Sequence, residues 1–177
     1  MEAVKCIGDG IKIIESIHLS CARNYANYKA INAVNSPLIN KHNFWLVAES
    51  NAYDMAVIEW CKLFGNDSEK THWKNSGVSG IVDLKKQILP VIGMTEIEWV
   101  HYRQQLLDYR NKNASHIDLD GWQRNYPYIK NSMDLLYASY DIFVDHNGLV
   151  NNDLRAETRY QFDIATKAIN LFLEHAI

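Results

Sequence analysis

From Gly10 onward apolar residues recur at intervals of three and four: Ile14, Ile17, Cys21, Tyr25, Tyr28 and Ile31 fall on one side of a helix whose other side is rich in Asn. This period predicts an amphipathic helix, ended near Asn35 because proline at 37 pushes the residue before it out of helical backbone space. A second helix is predicted over Asn43–Phe64, burying Phe44, Val47, Ala48, Met55, Ile58, Cys61 and Leu63, with Gly65 as its stop. The polar stretch NDSEKTHWKNSGVSG then reads as a loop, or as a short helix followed by one. Ile81, Leu84 and Ile88 mark a helix of about three turns closed near Pro90. Thr95 followed by Glu98 matches a capping box, in which side chain and backbone satisfy each other's free amides. It opens a helix with Ile97, Val100, Gln104 and Leu107 on one stripe, Asn111 as the next member, and Tyr102, Leu106 and Tyr109 beside it. Pro127 suits the first turn of a fifth helix carrying Ile129, Met133, Leu136, Tyr140 and Phe143. Asn152 or Asp153 caps a sixth, in which Tyr160, Ile164, Lys167 or Ala168, and Leu171 keep the period.

No strand alternation and no internal repeat interrupts this series, so the expected fold is all-α: a single domain over residues 1–177, built as an up-and-down bundle of five or six helices. Eight Gly and three Pro agree with long helices and few connections. The segment from Asn113 to Tyr126 breaks the pattern, because Asp118, Asp120 and Gly121 favour caps and turns. Tyr109 to Asn125 is therefore expected at the rim of the bundle, bending between two antiparallel helices.

Composition narrows the chemistry. Apolar residues make up 47% and charged residues 22%, which excludes a disordered chain. Cys6, Cys21 and Cys61 have the spacing of neither a zinc knuckle nor a disulfide framework and read as small buried thiols. No uncharged run approaches a membrane span and the N-terminus has no processing signal, so a cytoplasmic location and no membrane partner are expected. The formal net charge is −3, so any affinity for nucleic acid must come from a local patch.

One such patch is YRNKNASHIDLDGWQ, Tyr109 to Gln123, which sets Arg110, Asn111, Lys112 and His116 within seven residues. On an ideal helix, with about 100° per residue, Arg110 and His116 lie roughly 120° apart. They converge only where the chain bends or unwinds. Two readings stand. In one, Arg and Lys in a last turn complement the negative end of the helix dipole, and His caps free carbonyls. In the other, the guanidinium grips two phosphate oxygens, the imidazole moves a proton near neutral pH, and the carboxamide orients a hydroxyl. RNA supplies its own nucleophile, the 2′-OH, and needs no metal.

The segment RNKNASH in an all-helical setting resembles the signature of the HEPN superfamily: an arginine, a neighbouring polar residue, and a histidine after a short gap. The longer run YRNKNASHIDLD, with YPYIKNSMDLLYASYDIF after it, is similar to the HEPN-like proteins of phage abortive-infection systems. The gap here holds five residues where active members often have four, and Ser115 precedes the histidine. The resemblance implies a metal-independent, cofactor-free endoribonuclease, a toxin or antiviral effector working as a homodimer on RNA. Arg110, Asn111 and His116 are its implied catalytic residues, with Lys112, Arg103 and Asp118 binding the substrate. A protein antitoxin or regulatory partner is a further expectation. Some relatives are noncatalytic modules that bind nucleotides or proteins, which keeps that alternative open.

Other residues carry less. His101 has no second His or Cys at ligand spacing, so no metal site is expected. His72 and Trp73 offer either an RNA-stacking spot or an anchor for the loop. Trp45, Trp60, Trp99 and Trp122 read as core or interface side chains.

Overall fold

The computed structural model describes residues 2–34, 36, 37, 39, 43–73, 84–114, 127–149 and 153–175, with backbone alone for 2–9, 84, 85, 113 and 114. Among the described residues there are six α-helices and no strand: α1 (Glu2–Ala33), α2 (Asn43–Phe64), α3 (Leu84–Ile88), α4 (Glu96–Tyr109), α5 (Lys130–Asn147) and α6 (Leu154–His175). A π-helical turn, Arg110–Ala114, continues α4 directly. The all-α bundle expected from the periodicity is thus observed.

Side-chain pairings give its winding. Asn32 bonds Glu49 while Cys21 bonds the Ala56 carbonyl, so α1 and α2 run in opposite directions. Cys61 meets the Leu106 carbonyl and Tyr109 meets Asp54, which sets α4 antiparallel to α2. The Arg155–Asp141 ion pair, 2.8 Å, ties the start of α6 to the end of α5, and the rest of α6 lies along α1.

The main core is filled by Trp60, Tyr53, Phe64, Leu106, Leu136, Tyr140 and Phe143, with the α1 stripe of Ile14, Ile17 and Cys21 against them. A second, smaller cluster joins Ala30, Ile31, Ile39 and Ile169 under α6. The expected stripes of α1 and α5 are the buried ones. Those of α2 and α4 are buried only in part: Cys61, Leu63 and Leu107 lie inside as expected, and Ala48 and Ile58 are half-buried. Phe44, Val47 and Met55 are exposed, and the buried face of α2 is Tyr53, Ala56, Val57, Trp60, Cys61, Leu63 and Phe64. On α4, Ile97 (84% exposed) and Val100 lie outside while Trp99, Tyr102, Leu106, Leu107 and Tyr109 lie inside. Large rings bury more area than the aliphatic stripe, and their polar tips find partners: Trp60 Nε1 donates to the Ser132 carbonyl, and Tyr102 Oη donates to the Tyr128 carbonyl.

Boundaries also shift. α1 begins at Glu2, ahead of Gly10; α3 is described over Leu84–Ile88, and Ile81 of the expected helix lies outside the described residues. Pro127 precedes α5, which starts at Lys130. The capping box at Thr95 forms as expected, and Asp153 Oδ1 accepts from the amides of Arg155 and Ala156. No described helix is long and apolar enough to cross a membrane.

Candidate functional site at the junction of α2 and α4

The arginine–asparagine–lysine run sits where α4 passes the C-terminal end of α2. α2 ends at Phe64, and the Gly65 amide closes its last turn on the Cys61 carbonyl at 2.8 Å. A Cβ there would strike that carbonyl oxygen and approach Leu107 Cδ2 on α4 to 3.1 Å, so the last turn of α2 closes only on a glycine. Arg103 then caps α2. Its Nε donates to the carbonyls of Phe64 and Gly65 at 2.8 and 2.9 Å, and its Nη2 donates to the Gly65 carbonyl and to Asp67 Oδ1. Expected on a phosphate track, this guanidinium is engaged within the fold, where it neutralises the negative end of a helix.

Arg110 lies two turns further along α4. Its Nη1 donates to Glu69 Oε1 at 3.0 Å, with the arginine side chain 14% exposed, and its Nε donates to Asn111 Oδ1 at 3.2 Å. Asn111 and Lys112 themselves are exposed. From Arg110 to Ala114 the backbone is π-helical, closing on i→i+5 instead of i→i+4 hydrogen bonds. His116 and Asp118, like Trp122, lie outside the described residues, so the structure brings Arg110, Asn111 and Lys112 together and leaves those two unplaced.

The ends of the undescribed stretch 115–126 are tied to neighbouring residues of α2. Before it, Tyr109 Oη donates to Asp54 Oδ1 at 2.6 Å; after it, the Pro127 carbonyl accepts from Tyr53 Oη at 2.5 Å. The rings of Tyr53 and Tyr109 pack edge to face at 5.3 Å.

Glu69, Asp67 and Asp54 were not singled out in the sequence, although an acidic pair just past the Gly65 stop was a usable signal for partners of a helix-end arginine. His72 is 1% exposed, within 3.3 Å of Asp67 and packed on Trp73, which makes the anchoring role the observed one and leaves its face closed to a base. Exposed His101 pairs with Gln105. Burial pushes the Cys61 thiol up to about 12 against the opposing pull of Arg110 and Arg103, so it is no nucleophile here. Among the described residues no His, Cys, Asp and Glu group has the arrangement of a metal site. Comparison with protein-family models, curated proteins and solved structures returns no match.

Proposed function

We propose that the chain is a metal-independent endoribonuclease of the HEPN type, acting in the cytoplasm as a toxin or phage-defence effector. The observation that carries the reading is the π turn at Arg110–Ala114, a rare distortion that recurs at functional sites, falling on the residues that resemble the HEPN motif. Arg110 presents its Nη2 edge to a scissile phosphate while Nη1 stays on Glu69. The 2′-oxygen attacks phosphorus and loses its proton to a base, the P–O5′ bond breaks, and the departing oxygen takes a proton. His116 handles a proton in that exchange and Asn111 orients the imidazole or the 2′-OH. Lys112 and Asp118 contact the backbone near the cut. Arg103 holds the corner on which Arg110 stands. A homodimer that pairs two motifs would concentrate positive charge on an otherwise acidic chain.

A second reading has its own support. The Arg110–Glu69 ion pair satisfies part of the fork internally, as in a noncatalytic module that binds a nucleotide or protein through the same surface. Cleavage of single-stranded RNA in EDTA separates the two. The expected result is cutting that persists in chelator, leaves a 2′,3′-cyclic phosphate, and falls by about 10²–10⁴ in His116→Ala. Equal cutting by wild type and His116→Ala would reject His116 as the proton carrier, and RNA or nucleotide binding without any cutting would favour the module.

A further inference from the structure

Tyr28 and Asn32 stand one turn apart on α1, and Leu46, Glu49 and Tyr53 stand three and four apart on α2, so each set occupies one face of its helix. Between these two faces lies an open-sided cavity of about 490 Å³, within the range of small-ligand sites. Its floor is the buried ring of Tyr53, which is held by its hydroxyl on the Pro127 carbonyl and meets the half-buried Tyr28 ring edge to face at 5.2 Å. Exposed Leu46 and Val47 give it an apolar rim. Asn32 Nδ2 donates to Glu49 Oε1 at 2.8 Å and joins the two helices there. The second oxygen of Glu49, the side-chain oxygen of Asn32 and the carboxamide of Asn51, which also lines the cavity, hold no hydrogen bond among the described residues.

We infer that this cavity is a subsite for a guanine base. Aromatic and aliphatic walls with a carboxylate and two carboxamides among them suit a flat ring that has a polar edge. The carboxylate chooses the base. Guanine alone among the four RNA bases carries two donors side by side on its pairing edge, N1–H and N2–H, and these match the two oxygens of Glu49, each of which can accept two hydrogen bonds. Adenine and cytosine would turn a ring-nitrogen acceptor toward the same carboxylate, and uracil has a single donor between two carbonyls. The carboxamide of Asn51 offers a donor for guanine O6. The inference deepens the ribonuclease reading and rests on it for its substrate. Tyr53, the floor of the cavity, also meets the ring of Tyr109 at 5.3 Å, the residue before Arg110. An RNA strand with a phosphate on Arg110 then sets the base of a nearby nucleotide in the cavity.

Calorimetric titration of the full chain with the 5′-monophosphates of guanosine, inosine, adenosine, cytidine and uridine tests it, because inosine differs from guanosine only in lacking the 2-amino group. Guanosine monophosphate should bind at least about tenfold more tightly than each of the other four. Glu49→Gln keeps an oxygen for Asn32 and turns an amide donor toward the donors of guanine. It should retain wild-type helicity and bring guanosine monophosphate down to the affinity of inosine monophosphate. Tyr28→Leu should weaken all five by about fivefold or more and preserve their order, since an aromatic wall serves every base. No binding of guanosine monophosphate at millimolar concentration overturns the inference. So does equal affinity for the guanosine and inosine nucleotides in wild type, or undiminished discrimination in Glu49→Gln. The ribonuclease reading fails separately: guanosine monophosphate binding in a protein that cuts no RNA keeps the subsite and rejects the enzyme, whereas RNA cutting without that binding keeps the enzyme and rejects the subsite.

Discussion

The junction of α2 with α4 and the seat of α6 on α1 are both helix–helix contacts, yet they are made differently. At the first, aromatic rings fill the space and their hydroxyls, two arginines and three carboxylates complete a network from Asp54 to Arg110. At the second, a short strip of small and medium apolar residues lies under a helix whose opposite face is also apolar. The first contact is completed by partners within the chain, which hold Arg103 on Asp67 and Arg110 on Glu69. The second leaves apolar surface open, with Tyr160, Ile164 and Leu171 exposed on the far side of α6.

The largest test of this contrast removes one buried side chain from each contact. Trp60→Ala, in the ring cluster with Phe64 and Trp99, should cost about 3–5 kcal/mol. Ile169→Ala should fall near the lower end of the range for such truncations, about 2 kcal/mol, because the smaller cluster has more room to collapse. Chemical denaturation with matched m-values checks both. Equal costs would mean that α6 is as deeply seated as the ring cluster.

A smaller effect comes from His18, buried between α1 and α5. Its Nδ1–H donates to the Ile14 carbonyl at 2.8 Å and its Nε2 lies 3.1 Å from Ser139 Oγ. Burial lowers its pKa from 6.5 to about 4, only partly countered by the Ile14 bond. The unfolded chain therefore takes up the proton first. His18 leaves stability unaffected by pH above about 6.5, lowers it progressively as pH falls from there, and stops contributing to the slope below about 4. Between pH 7 and pH 5 the loss should be about 2 kcal/mol. Calorimetry at the two pH values should show it in wild type and not in His18→Gln; the same slope in both would assign it to other groups.

Sequence alone was sufficient where helices carried a single apolar stripe. In α1 and α5 one face is aliphatic and the other polar, so period and burial coincide. α2 and α4 each carry two competing stripes. On α4 the run Ile97, Val100 and Gln104 has the same spacing as Trp99, Tyr102, Leu106 and Tyr109, and only the greater area and polar reach of the rings decide which turns inward. The arginine motif was legible as residue types, and its departure from α-helical winding was legible as a need. The partners were not. Glu69 is 41 residues from Arg110 in the chain and Asp67 is 36 from Arg103, and such pairs become neighbours only once the helices pack.

The central claim is that Arg110 serves a phosphate as well as the fold. Arg110→Gln and Glu69→Gln break the same partly exposed ion pair, so each should cost about 1 kcal/mol or less in stability. On the proposed ribonuclease reading only the first removes a charged donor from the scissile phosphate. RNA cleavage measured side by side should fall by about 10²–10³ in Arg110→Gln and stay near wild type in Glu69→Gln. Equal losses in the two variants would contradict the claim and make Arg110 a strut of the bundle and nothing more.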